Sequence, residues 1–428
     1  MKNLKFLWPG TALRAAGILA AALVLTFAAC SNPNGGGGGG EEETPVDIDA
    51  EDFGPSAVID STFDIAGQDD WNAAIAAIQE GGNDKNYILT LTADVTLPGS
   101  STGSTFGSVT GIIVSLRGEK TLQLASGDDN NGSLLRIEDN QALVLRESAL
   151  LGRSGNNRSL VYVFGSNSSF TMHSGRISGN STGQDGGGVW VAQGSFTMSG
   201  GEISGNSVRP DYSAYGGGVY ISYNSSFTMS GGKISGNSVR TRRPDSAHGG
   251  GVYICSNSSF TMSGGEISGN SATSTSSSSY QIYGGGVSVD RSSFTMSGGK
   301  ISGNSAIHSY SEEGNGVSEG GGVSVSNSES SFTMSGGEIS GNSAGQYGGG
   351  VYVNYYNSNS FSKTGGVIYG SDASAALRNT AKRGDTHGHA VFHSGYYRDA
   401  TLNAGDNIST SGPFPSSSGQ TVGNWTRQ

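Results

Sequence analysis

Through the middle of the chain apolar residues come in short alternating bursts. Phe-x-Met is followed by a lone Ile and then by Val-x-Val or Val-x-Ile, with Gly, Asn and Ser between them. Alternation with period two marks strands with one buried face, and no window there holds the 3.6-residue period of a helix. The phenylalanines are Phe170, Phe196, Phe227, Phe260, Phe294, Phe332 and Phe361. Seven residues after each stands Ile177, Ile203, Ile234, Ile267, Ile301, Ile339 or Ile368. The third burst begins at Val189, Val219, Val252, Val287, Val323 and Val351.

A unit repeated at this length is too small to bury its own apolar face, so the repeats must stack. Three short strands per unit fit one turn of a three-sided β-solenoid. Each strand then pairs with its counterpart in the next coil at about 4.8 Å, and Phe, Ile and Val stack on their own kind. The asparagine after each unit's Gly, at Asn180, Asn206, Asn237, Asn270, Asn304 and Asn342, suits a left-handed turn position. The residue before each Ile alternates in sign: Arg176, Glu202, Lys233, Glu266, Lys300, Glu338. Stacking would set opposite charges side by side, and skipping one coil would set like charges together, so the series favours correct register.

Outside the repeats the pattern is weaker. Runs at 87–91, 111–116, 121–124 and 143–145 read as irregular strands of the first coils. The stretch 69–82 is the best helix in the chain, opening on Asp69 and closing on Gly, and it suits a cap over the first coil. Past Phe361 the pattern decays: Lys363 takes a methionine position, and Gly388-His389-Ala390-Val391-Phe392 is a worn Gly-Gly-Gly-Val-Tyr.

Composition agrees with a repeat architecture. Glycine occurs 72 times in 428 residues without a period of three, which excludes collagen, and charged residues are only 14%. A net charge of −11 argues against nucleic acid as a partner. At the N-terminus Lys2, Lys5 and the apolar run 15–29 read as an export signal, and Leu25-Thr26-Phe27-Ala28-Ala29-Cys30 reads as a lipobox, making Cys30 the lipidated residue. Six glycines (35–40) and Glu41-Glu42-Glu43 then form a flexible, self-repelling tether. The expected organisation is 1–29 signal peptide, 30–57 tether, 58–85 capping segment with a helix, 86–165 irregular coils, 166–395 regular repeats and 396–428 C-terminal cap. The second cysteine, Cys255, follows Val252-Tyr253-Ile254 on the outward side of the alternation and reads as a surface thiol.

The units Phe-Thr-Met-Ser-Gly-Gly-x-Ile-Ser-Gly-Asn and Gly-Gly-Gly-Val-Tyr-Val resemble the right-handed parallel β-helix repeats of bacterial surface proteins, notably spirochaete lipoproteins. They are more distantly similar to repeats of chlamydial polymorphic outer membrane proteins, although Phe-x-x-Asn is missing. The resemblance implies an all-β, right-handed parallel β-helix, outer-membrane or cell-surface placement through a lipid at Cys30, and often an adhesive role. It implies no catalytic residue and no cofactor.

The right-handed β-helix is also the fold of pectate lyases and many glycoside hydrolases, which makes a polysaccharide-cleaving enzyme the alternative by analogy. Such enzymes need clustered carboxylates. The outward positions of Phe-Thr-Met hold Thr171, Thr197, Thr228, Thr261, Thr295 and Thr333 instead, and Lys233 separates Glu202 from Glu266. His387, His389 and His393 lie in a worn coil without acids or cysteines at ligand spacing, so no metal is expected. Two features suit binding of a host matrix protein or glycan by a monomer. Trp190, Tyr220, Tyr253 and Tyr352 occupy the outward middle position of the third strand, interrupted by Ser288 and Ser324. Insertions after the asparagines lengthen from 182–185 to 306–319, shrink at 344–347, and include Arg240, Arg242 and Arg243. A rigid envelope spacer that binds nothing is the third class. For the charge series, Glu266→Lys is expected to lower the melting temperature more in low salt than in high salt; equal losses in both would refute the register role.

Overall fold

The structure is a computed structural model. It describes residues 48–100, 105–127, 131–242, 245–275, 281–308, 317–354, 359–382, 387–393, 396–410, 421–422 and 424–427. These residues are nearly all β, arranged in long parallel sheets in which each repeat pairs with the next. One sheet holds 20 strands, a second 12, a third 7 and a fourth 4. Register follows the repeat residue by residue: Phe196 lies opposite Phe227 and Phe227 opposite Phe260, while Ile203, Ile234 and Ile267 form the adjoining row. The phenylalanine rings stack near-parallel at 4.5–5.2 Å from Phe170 to Phe361, fully enclosed. Phe, Met, Ile and Val form one continuous core from Ile65 to Trp425.

The strands Ser226–Met229 and Lys233–Ser235 belong to one sheet that bends at Gly231-Gly232. A Cβ on Gly231 would collide with the Ser199 carbonyl of the preceding coil. Gly232 has φ +77° and lies against the Met198 methyl group. The bend requires both glycines. The corners after each Ile differ from the sequence-based expectation. Positive φ falls on the glycine, for example Gly205 (+64°) and Gly236 (+62°), and on none of the asparagines that follow. Asn206, Asn237, Asn270, Asn304 and Asn342 turn inward instead and are fully buried. The Asn237 amide oxygen accepts the Asn206 backbone N–H at 3.0 Å and its side-chain Nδ2 at 3.1 Å. The Asn237 Nδ2 donates to the Ile203 carbonyl at 2.8 Å and to Asn270 Oδ1 at 3.0 Å. The pattern repeats through Asn379. Glycine relieves asparagine of the turn, which frees the side chain to satisfy backbone groups that the corner would otherwise strand.

More than three strands recur per unit. The start of each insertion is itself a strand, as at Ser207–Val208 and Ser238–Thr241, and these build the 7-stranded sheet. Further short strands, at Ala214–Tyr215, Ala247–His248, Gln281–Tyr283 and Val317–Glu319, build the 4-stranded one. The opposite charges do stand side by side: Arg176 with Glu202 at 4.0 Å, Lys233 with Glu266 at 3.7 Å, Lys300 with Glu338 at 3.0 Å.

Both ends depart from expectation in detail. Helix α1 (Ile48–Phe53) lies in the stretch read as tether. Its Asp52 is enclosed, bonded to Ser115 Oγ at 2.6 Å, Arg117 Nη2 at 2.7 Å and Arg146 Nε at 2.7 Å. Asp49, Glu51 and Asp52 at the end of the expected tether thus find cations on the coils, while Glu41-Glu42-Glu43 lie outside the described residues. The segment read as a cap alone contributes a strand, Ser61–Ile65, parallel to Asn86–Leu91. Helix α2 (Gln68–Glu80) buries Trp71, Ala74 and Ile78 in the core. Gly67 rather than Asp69 is its N-cap, and Asp70 instead accepts the Ala66 amide at 3.0 Å. At the other end the pairing turns antiparallel through Tyr396–Arg398 and Trp425–Arg427. Lys363, fully buried in its methionine position, donates to the carbonyls of Asn403 (2.6 Å) and Asp406 (2.8 Å).

Removing one member of the asparagine row leaves buried donors and acceptors unpaired in two coils. Asn237→Ala is expected to cost about 3 kcal/mol in denaturant unfolding, against about 0.5 kcal/mol or less for Thr228→Ala on the exposed face; similar losses would refute the structural weight of the row.

Candidate ligand-binding surface

The outward column of the third strand runs in register through Tyr162, Trp190, Tyr220, Tyr253, Ser288, Ser324, Tyr352 and Phe392. An open row of rings was expected there. The structure corrects this: Tyr220, Tyr253 and Tyr352 are buried, and Trp190 alone of the four named rings stays half-buried. The cover comes from the insertions, whose 4-stranded sheet lies over the column. Tyr215 sits 4.9 Å from the Tyr253 ring, His248 5.2 Å from Tyr253 and Tyr347 4.5 Å from Phe392. The signal was present in the sequence: Asp185 precedes the first Gly-Gly-Gly, and Tyr215, His248, Tyr283, Glu319 and Tyr347, four of them with rings, precede the later ones. Cys255 shares this burial, 6% exposed with its sulfur 3.6 Å from the Tyr220 hydroxyl, so it is no surface thiol, and burial pushes its pKa up.

Enclosure sets the electrostatics. The Tyr253 hydroxyl donates to Asp290 Oδ2 at 2.9 Å, and Asn327 Nδ2 donates to the same oxygen at 2.6 Å. Glu319 is enclosed, in register with Tyr283 on one side and Tyr347 on the other. Burial pushes its carboxyl up to about 8 against the opposing hydrogen bond with Tyr352, and its Oε2 has no hydrogen-bond partner. Burial pushes Asp185 up to about 7 and His248 down to about 4. Near neutral pH Glu319 and His248 sit largely uncharged beneath the cover, and Asp185 is close to its midpoint.

The remaining candidates are dispersed. Arg240, on the strand Ser238–Thr241 of the 7-stranded sheet, and the neighbouring Arg242 are exposed, on a sheet other than the one that holds the aromatic column. Arg243 and Cys30 lie outside the described residues. Glu202 and Glu266 flank Lys233 in register, and Lys233 pairs with Glu266. His389 is buried, and His393 Nδ1 lies 3.3 Å from the Val353 carbonyl. Among the described residues no three His, Cys, Asp or Glu side chains are grouped to hold a metal. Compared with protein-family models, curated proteins and solved structures, the chain gives no match.

A carboxyl held above its unfolded value adds stability at low pH, and that contribution is lost as pH rises through the folded value. Glu319→Gln should therefore raise the melting temperature at pH 9, by a few degrees, and have little effect at pH 5. Parallel pH profiles for the two proteins would refute the buried, neutral carboxyl.

Proposed function

We propose that the protein is a surface-exposed bacterial lipoprotein, exported by 1–29 and anchored through Cys30. Its body is a right-handed, three-sided parallel β-helix that binds a ligand or adheres without catalysis, a host matrix protein or glycan being the class of partner. The sequence support is the lipobox with its glycine tether and the likeness to spirochaete repeat proteins. The observation that carries the binding role is the placement of the insertions. They leave the coil at one equivalent position, vary in length from coil to coil, and are ordered into sheets of their own where described. A passive spacer needs only the coils; elaboration confined to one edge is how solenoids present a recognition surface.

Two measurements test this. Growth with an alkyne-tagged fatty acid should label the wild-type chain and leave Cys30→Ser unlabelled; labelling of both would overturn the anchor. The purified full chain should bind within a panel of matrix proteins and glycans. Cutting the insertion 306–319 to the length of 182–185 should change that binding, and no binding to any member would favour the spacer.

A further inference from the structure

The cover over the aromatic column does not reach its first rings. The overlying sheet begins at Ala214–Tyr215, and the insertion one coil earlier, 182–185, is too short to contribute a strand to it. Tyr162 and Trp190 therefore stay half-buried, at 4.8 Å from each other, whereas Tyr220 is covered. Phe164 lies near-parallel to Tyr162 at 5.7 Å. It is 42% exposed, although the residues in register with it are the small Ala192 and Ser222. Three of the described large apolar side chains that are exposed are aromatic: Phe164, Tyr212 (48%) and Tyr223 (54%). Phe164 and Tyr223 belong to this corner. Tyr223 follows Ser222, which shares a register row with Ala192 and Phe164 and accepts the Trp190 Nε1–H at 3.0 Å, and Asp185 precedes Gly186, whose amide donates to the Tyr215 carbonyl. The repeat explains the rings at Tyr220 and Tyr253 and leaves these unexplained.

Polar atoms complete the corner. Asp185 accepts the Tyr215 amide, yet its Oδ1 is buried without a hydrogen-bond partner, as is Arg158 Nε. Buried polar atoms are ordinarily paired, and an unpaired set beside exposed rings invites a small ligand rich in hydroxyls. A flat protein surface would cover the rings and miss the recessed atoms, whereas a sugar offers C–H faces to the one and hydroxyls to the other.

We propose that this open start of the aromatic column is a saccharide-binding platform, on which Phe164, Trp190 and Tyr223 hold pyranose rings while Asp185 and Arg158 take their hydroxyl groups. The assignment rests on the ligand-binding reading above and supplies its site and ligand class. It places recognition at the start of the column, where the short insertion 182–185 leaves the rings uncovered on the edge that carries the longer insertions.

The test is calorimetric titration of the full chain, in detergent, with neutral and uronic-acid-bearing hexose oligosaccharides. Phe164→Ala and Tyr223→Ala, both at exposed rings, should each weaken binding about tenfold without changing the melting temperature. Asp185→Asn should alter the preference between neutral and acidic sugars. Saccharide binding indifferent to all three variants would overturn the platform and leave the binding role standing. Loss of matrix-protein binding in these variants, with no sugar bound, would make the corner a protein-docking surface and overturn the saccharide assignment. Absence of any binding would overturn both.

Discussion

Every coil depends on a neighbour to satisfy its backbone, and the buried asparagine row shows how strict that dependence is. At the corner after each Ile the chain must turn, and a turn removes amide and carbonyl groups from the sheet ladders. Asn206, Asn237, Asn270, Asn304 and Asn342 close the gap across coils, each bonding the next asparagine and the Ile carbonyl of the coil before. An asparagine opposite any other residue would leave buried polar atoms unpaired, so the row fixes register as well as stability. The phenylalanine stack tolerates small shifts; the amide row does not. The alternating surface charges act in the same sense at lower energy, being exposed and screened.

The same constraint explains what varies. Residues that face the axis or the corner must match their counterparts above and below, and they repeat almost without change from Phe196 to Ile339. Chain leaving the coil after the asparagine meets no such demand until it rejoins at Gly-Gly-Gly, and there the lengths diverge. Where enough residues are inserted they find pairing of their own, first in the 7-stranded sheet and then in the 4-stranded one. The ends obey the rule in another way. Helix α2 brings Trp71 and Ile78 to the first coils, and the last coils accept antiparallel strands pinned by buried Lys363.

The parallel stacking and its register were legible in the sequence because they repeat, and repetition converts a weak strand signal into a strong one. Phe, Ile and Val positions and the charge series stand where periodicity put them. The burial of Tyr220, Tyr253 and Cys255 was not legible. Strand alternation reports which side of a sheet a residue takes, and it is silent on whether a second layer covers that side. The asparagine corner was misjudged for a related reason: Gly and Asn both tolerate positive φ, and the tripeptide alone does not say which of them turns. Helix α1 was hidden because its partners, Arg117 and Arg146, lie in coils far along the chain.

The covered column singles out one end of the stack more sharply than the repeat does. Had the aromatic column been open along its length, only Ser288 and Ser324 would have set one coil apart from another. Because the insertions cover it, exposure itself becomes selective. The rings at Tyr162, Phe164 and Trp190 are left open by a short insertion while their neighbours are sealed by longer ones. In a stack whose interior must be uniform, length variation at one corner is the cheapest way to make one coil unlike the rest. A surface singled out in this way, with aromatic rings beside unpaired polar atoms, is the part of the stack that the repeat alone does not account for.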